Sequence, residues 1–228
     1  AKLWLQKSLP SGFGIRIKAM SAPRRARSEH TLKVFLEALI GGTGGVVPEG
    51  LAVTLAKIEH PREVRQLVDA LCRRESQLGL EVGTFKVELM AETPVSIFAE
   101  DGRLVVPDLL AKADGRCVGI HLGVYDFTAA VGVVAGLQGL RHPICDFARR
   151  ALLVGVAGTG VRLSDGASSR VPPTPTDAES LAVARRVMRQ IFEGVRHSLD
   201  EAIYQGWDLH SRQLIARLIA VYSFYLEQ

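Results

Sequence analysis

Cysteine is scarce in this chain of 228 residues. There are three, Cys72, Cys117 and Cys145, far apart, odd in number and without a CxxC pair. This argues against a disulfide framework or a cysteine-rich zinc site and leads us to expect a reducing, cytoplasmic setting. Aromatic residues are also few, at 6%, and none is interleaved with basic residues, so a single-strand nucleic-acid platform is disfavoured. Neither sign of charge dominates, the formal net charge being +4. The one basic cluster, Pro23-Arg24-Arg25-Ala26-Arg27, reads as a solvated loop or the lip of an anionic-substrate site, and no nucleic-acid partner is expected. No apolar run approaches the ~18 residues of a membrane span, so no membrane partner is expected. No secretory leader is visible, and the chain opens on Ala1, so a processed or internally started sequence is expected.

Several motifs are missing as well. The run Gly41-Gly42-Thr43-Gly44-Gly45 lacks the Lys-Ser/Thr of a phosphate loop and does not fit G-x-G-x-x-G, so it reads as a mobile loop. No Gly-x-Ser-x-Gly elbow exists, which argues against a serine hydrolase.

What is present is a repeated strand–helix pattern with 47% hydrophobic residues, enough for a sizeable core. In Phe85 to Pro94, Lys86, Glu88 and Met90 alternate with Val87, Leu89 and Ala91, as in a strand with one apolar face. Glu92 comes where the run stops, and Pro94 ends the ladder. A second run, Cys117 to Asp126, also ends in an acid. Carboxylates at the C-terminal ends of parallel strands are where α/β folds place their chemistry, and two of them can hold one hard cation. Either acid could instead cap the helix that follows.

Further strands are expected at Gly14–Lys18, Leu51–Ile58 and Leu152–Ala157, and a short strand or turn at Gly206–His210. Helices are expected at Leu32–Ile40, Pro61–Leu80, Pro107–Ala113, Pro143–Arg150, about Asp177–Ala202, and Arg212–Leu226 capped by Ser211. Residues 163–176, rich in Gly, Ser and Pro, read as a loop or lid in which Ser164-Asp165-Gly166 makes a turn. About six strand–helix units imply a parallel α/β fold, either an open doubly wound sheet or a barrel short of its first two strands.

The order of the motifs favours the barrel. "IRIKA" with Arg16, "LAVTLAKIEHPREV" with Lys57, "VELMAETP" with Glu92, "LGVYDFTAAVG" with Asp126 and "GWDLHSRQL" with His210 together resemble the citrate lyase β-subunit and hydroxy-oxo-acid aldolase group. That group belongs to the pyruvate/phosphoenolpyruvate-dependent barrel superfamily, and the chain looks like a less-studied branch of it. The departures are Ala56 for a proline, Phe127 for a leucine, Ser211 for a proline, and two strands that the family carries before the Arg16 strand. The resemblance implies a single partial TIM-type (β/α)8 barrel over residues 1–228, with the terminal helix, 211–228, packed on the barrel or on a neighbouring subunit of a homo-oligomer.

The resemblance also implies a chemistry. Mg²⁺ or Mn²⁺ would bind Glu92 and Asp126, and a 2-oxo acid would chelate the metal. Cleavage of the neighbouring C–C bond would leave an enolate, whose charge the metal and Arg16 stabilise. Backbone N–H groups of Gly123, Val124 and Tyr125 would hold the substrate carboxylate. Asp208 and His210 are the visible acid/base candidates. His121 reads equally as a core or a site residue, and Glu88 as the partner of Lys57 or Lys86. The rival readings are a coenzyme A thioester lyase of malyl, citramalyl or citryl type, and a non-catalytic barrel that binds an acidic metabolite.

Overall fold

A computed structural model describes residues 2–7 and 12–228. The chain divides into two compact units: residues 1–121 with 154–162, and residues 122–153 with 163–228. Among the described residues the hydrogen-bonded strand order of the first unit is the chain order, β1-β2-β3-β4, and in the second unit β5 neighbours β6. The strand–helix alternation expected from the sequence is therefore present, with six strands where a closed barrel carries eight.

The first unit opens on a short helix, α1 (Lys2–Leu5), followed by β1 (Phe13–Ile17), α2 (Ala22–Gly42), β2 (Leu51–Leu55), α3 (Pro61–Gln77), β3 (Lys86–Ala91) and α4 (Val106–Ala113). Strand β4 (Cys117–Leu122) closes the series. Every residue of β2 is buried, as expected of a strand flanked on both sides. β1 and β2 pair in parallel with Arg16 opposite Thr54, and β2 and β3 with Thr54 opposite Glu88. Gly14 is required in β1, because a Cβ there would stand 1.8 Å from the carbonyl oxygen of Ala52. Helix α2 starts earlier than the sequence suggests. Pro23 serves its first turn, so Arg24, Arg25 and Arg27 lie on a helix rather than in a loop. Cations at that end oppose the helix dipole, and Glu29 offsets them by pairing with Arg25 at 2.9 Å and with Arg73 at 3.2 Å.

A buried ion pair ties this unit together. Arg116 Nη1 donates to Glu75 Oε1 at 2.6 Å and Nη2 to Oε2 at 2.8 Å. Glu75 also accepts from the backbone N–H groups of Phe85 and Gly83, and Arg116 donates to the Phe85 carbonyl.

The second unit contains α5 (Val124–Ala130), α6 (Pro143–Val156, whose last residues belong to the first unit), β5 (Arg162–Asp165), α7 (Ala178–Asp200), β6 (Tyr204–Gln205) and α8 (Leu214–Leu226). β5 and β6 are parallel. Two expectations are corrected here. Leu152–Ala157 is not a strand but the end of α6, since Cys145, Ala148, Leu152 and Val156 are buried at helical spacing. The strand lies instead in the segment read as a loop, and Asp165 at its end is fully buried rather than in a surface turn. Asp165 Oδ2 accepts from Arg149 Nε at 2.7 Å and from Ser198 Oγ at 2.7 Å. Arg149 also donates to Asp146 Oδ1 at 2.6 Å and to the Leu140 carbonyl, and His197 Nε2 meets Asp146 Oδ1 at 2.8 Å. Helix α8 packs on α7 through Ala216, Ala220 and Val221 against Val187, Ile191, Val195 and Leu199. No helix among the described residues is long and apolar enough to cross a membrane.

Candidate functional site

The parallel register of the first unit carries a row of polar side chains across three strands. Arg16, Thr54 and Glu88 are successive Cα partners on β1, β2 and β3. Arg16 is exposed and its Nη1 lies 3.7 Å from Met90 Sδ, one pleat along from Glu88. Glu88 is not paired with Lys57 or Lys86. Its Oε2 accepts from Thr54 Oγ1 at 3.1 Å, and His121 Nε2 on β4 stands 3.2 Å from the same oxygen. The His121 hydrogen bond holds the Glu88 carboxyl below its ordinary range despite partial burial, with the His121 charge, Thr54 and Arg162 adding to the effect. Thr54 escaped the sequence reading, because its role follows from strand register and not from its neighbours. The remaining signal was its offset: it stands three residues before Lys57, much as Glu88 stands four before Glu92.

Glu92 follows β3 directly and is 4% exposed. Its Oε1 accepts the backbone N–H of Lys57 at 2.5 Å. Lys57 reaches that position with φ at 53°, a left-handed conformation that a lysine adopts only where the surroundings enforce it. Thr93 repeats the tie by donating to the Ile58 carbonyl at 2.9 Å. Two backbone-to-side-chain bonds thus lock the end of β2 to the end of β3, and Glu92 is part of that lock. The Lys57 side chain is exposed.

In the second unit Gly123 precedes α5, Val124 is its buried first residue, and Tyr125 Oη accepts the backbone N–H of Ser169 at 2.7 Å. Asp126 is exposed in the first turn of α5, a position that the helix dipole favours for an acid. Asp208 pairs with Arg217 Nε at 2.8 Å. His210, not Ser211, caps the turn that leads into α8: its Nδ1 accepts the Arg212 N–H at 3.1 Å, and Gln213 Oε1 returns the bond to the backbone N–H of His210 at 3.1 Å. Both acid/base candidates therefore have local structural partners. Replacing His210 by Ala is expected to lower stability by about 1 kcal/mol, as for other lost caps. His210→Ser should restore it, because serine also caps. Equal losses in both variants, read by chemical denaturation, would remove the capping role.

Among the described residues no group of three or more His, Cys, Asp or Glu is arranged to hold a metal ion. A metal here would rest on one or two carboxylates and complete its shell with water and substrate, which is the habit of Mg²⁺. Glu92 suits that role chemically, as a buried hard-oxygen donor at a strand end.

A family model described as "Domain of unknown function (DUF6986)" matches residues 1–228. No curated protein matches the sequence. Solved structures do share the fold. A citrate lyase from Burkholderia xenovorans LB400 aligns with TM-score 0.63 at 17% identity, over 91% of this chain and 57% of its own. Haloferax volcanii malate synthase, in its magnesium/glyoxylate complex, aligns with TM-score 0.71 at 13% identity, over 94% of this chain and 57% of its own. Protein CitE from Mycobacterium tuberculosis, in complex with magnesium and acetate, aligns with TM-score 0.57 at 16% identity, over 92% and 68%. The chain thus spans little more than half the length of the first two, and the likeness is one of fold.

Proposed function

For a chain that belongs to the DUF6986 family, we propose a divalent-metal-dependent carbon–carbon lyase or aldolase that acts on a small 2-oxo acid or a related carboxylate. The observation that carries this reading is Glu92, a buried carboxylate at the C-terminal end of a parallel strand, fixed through one oxygen by the Lys57 N–H. Its support from outside the chain is the shared fold with a citrate lyase, and with a malate synthase and a CitE protein that were solved with magnesium.

In this reading Glu92 and Asp126 supply the carboxylates for Mg²⁺ or Mn²⁺, which when bound withdraws electron density from the substrate carbonyl. Glu92 is oriented before substrate arrives, since its lock to Lys57 fixes one oxygen. Arg16 offers a planar guanidinium to the substrate carboxylate and to the negative charge that grows as the C–C bond breaks. The backbone of Gly123 to Tyr125 offers N–H donors to a second anionic group. Glu88 ends Arg16's row with His121 beside it, and in this reading the pair keeps an ionised carboxylate in that row as a positioning group. A TIM-type barrel completed by two further strands, a homo-oligomeric assembly and a coenzyme A thioester as substrate are parts of the same proposal. A non-catalytic barrel for an acidic metabolite is the alternative that gains if no metal binds.

The test is a Mg²⁺ or Mn²⁺ titration of thermal stability, with and without oxalate. The melting temperature should rise with metal and rise further with oxalate. Glu92→Ala should abolish both shifts. A melting temperature unmoved by either ion would end the metal-dependent reading, and a shift that survives in Glu92→Ala would place the metal elsewhere.

A further inference from the structure

The guanidinium of Arg16 reaches across the sheet. Arg16 sits on β1, yet its Nη1 lies 3.7 Å from Met90 Sδ on β3, beyond the intervening β2. Met90 stands two residues from Glu88 along the same strand, about 7 Å at the rise of a strand. An anion received by Arg16 would therefore lie over β3, with Glu88 on one side along the chain and Glu92 on the other. In the lyase reading Glu92 has a metal ion to offset its charge. Glu88 has none.

Glu88 would repel such an anion. Held below its ordinary range by the His121 hydrogen bond, its carboxyl is ionised at neutral pH. The side chain is only 23% exposed, and its Oε2 lies against Thr54 Oγ1 and His121 Nε2, so little water screens it. Two like charges this close in a half-buried place weaken binding unless a proton or a cation offsets one of them.

The groups that face Glu88 narrow the choice to one. Arg16 on β1 and Arg162, the residue of β5 that belongs to the first unit, are permanent cations. Cys117 on β4 is a thiol that burial pushes up to about 12, so it stays neutral. Thr54 on β2 does not titrate. That leaves His121, and imidazole is the one side chain that ordinarily changes charge between pH 5 and pH 8. Its Nε2 is shut off from solvent and stands 3.2 Å from Glu88 Oε2, so charge gained by the ring lies directly against the carboxylate. A histidine that served only to tie β4 to β3 would leave anion binding indifferent to pH.

Resting on the reading of Arg16 as a carboxylate site, we propose that His121 takes up a proton when an anionic substrate binds, and so offsets Glu88 beside it. One proton passes from solvent to the imidazole ring, and no covalent bond of the substrate is made or broken. The bound anion raises the proton affinity of His121, and by linkage a proton on His121 raises the affinity for the anion. Binding is then strongest at pH values where His121 is already charged and weakens as pH rises through its titration. The weakening is about tenfold for each pH unit by which the anion shifts that titration.

Oxalate is the probe, because it is fully ionised at neutral pH and brings no proton of its own. The full chain with Mg²⁺ is titrated calorimetrically at pH 7 in Pipes, Hepes and Tris, whose ionisation enthalpies differ. The slope of the observed heat against that enthalpy counts the protons taken up. A positive count of at most one per chain is expected, with affinity falling by about tenfold between pH 6 and pH 8. His121→Gln should bring the count to zero and flatten the pH dependence. Glu88→Gln should lower the count at pH 7 and tighten binding at pH 8, where the repulsion it removes is largest. Far-ultraviolet dichroism shows whether each variant is folded; either one decides if the other is not, and the count in the parent chain needs neither. Absence of oxalate binding at every pH overturns the lyase reading and this inference together. Binding without proton uptake, or uptake that survives His121→Gln, overturns this inference alone. Uptake that needs no Mg²⁺ sustains this inference and ends the metal-dependent reading.

Discussion

Arg149→Met should unfold the second unit under conditions where the parent chain is intact. Arg149 is 1% exposed and is the centre of a closed set of bonds to Asp165, Asp146 and the Leu140 carbonyl. Methionine fills much of the volume, so the effect reports lost charge and hydrogen bonding more than a cavity. What remains is the Asp165 carboxyl, 0% exposed, with Ser198 Oγ and the Gly166 N–H as its partners. Removing one member of a buried pair costs about 3–5 kcal/mol, a large share of the ~5–15 kcal/mol that holds a domain. The double replacement Arg149→Met with Asp165→Leu should recover most of the loss, because an apolar pair of similar volume is often neutral. Urea denaturation followed by Trp207 fluorescence, in a Trp4→Phe background, reads this unit. A loss under about 1 kcal/mol in Arg149→Met would show that the set is ornamental to stability.

The second expected result concerns the other buried pair and its pH dependence. Burial drives the Glu75 carboxyl upward, but Arg116 and the N–H groups of Phe85 and Gly83 outweigh it and hold Glu75 below its ordinary value of 4.5. A carboxyl depressed in the folded state binds fewer protons there than in the unfolded chain. Its contribution is present above pH 4.5 and is lost as pH falls from there through the folded value. Stability of the first unit should therefore decline on the acid side, and Glu75→Gln should be less stable at neutral pH by about 3–5 kcal/mol with a flatter acid limb. The amide cannot accept both guanidinium bonds and brings its own N–H donors against Arg116. Chemical denaturation between pH 7 and pH 3 measures both effects. An unchanged acid slope in Glu75→Gln would assign acid sensitivity to other carboxylates.

The two largest effects sit in pairs that sequence reading did not single out, and the reason is physical. Glu75 and Arg116 are 41 positions apart, and Arg149 and Asp165 are 16 apart across a turn and a strand. Nothing local marks them as partners. Strand β3 was legible because alternation over six residues and the break at Pro94 act locally. The end of α6 was misread because Leu152 to Ala157 is a short apolar run, which suits a buried strand or a helix face equally. Only the spacing of buried residues from Cys145 onward separates the two. Strand β5 was missed because its four residues, Arg162–Asp165, include three polar ones, and a strand that short is held by its neighbours rather than by propensity. The partner of Glu88 was misjudged because side-chain meetings across strands are set by register, which put Thr54 opposite it.

The sequence by itself determined the class of the fold, the strand that ends in Glu92 and the strand that starts at Cys117, since period and glycine and proline punctuation are local properties; Asp126, read as the end of that strand, lies in the first turn of α5. Tertiary structure alone decided what each carboxylate touches. It gave Glu92 the Lys57 N–H, Glu88 its Thr54 and His121, and His210 a capping role, because hydrogen bonds and desolvation depend on which distant atoms the packed chain brings within about 3 Å.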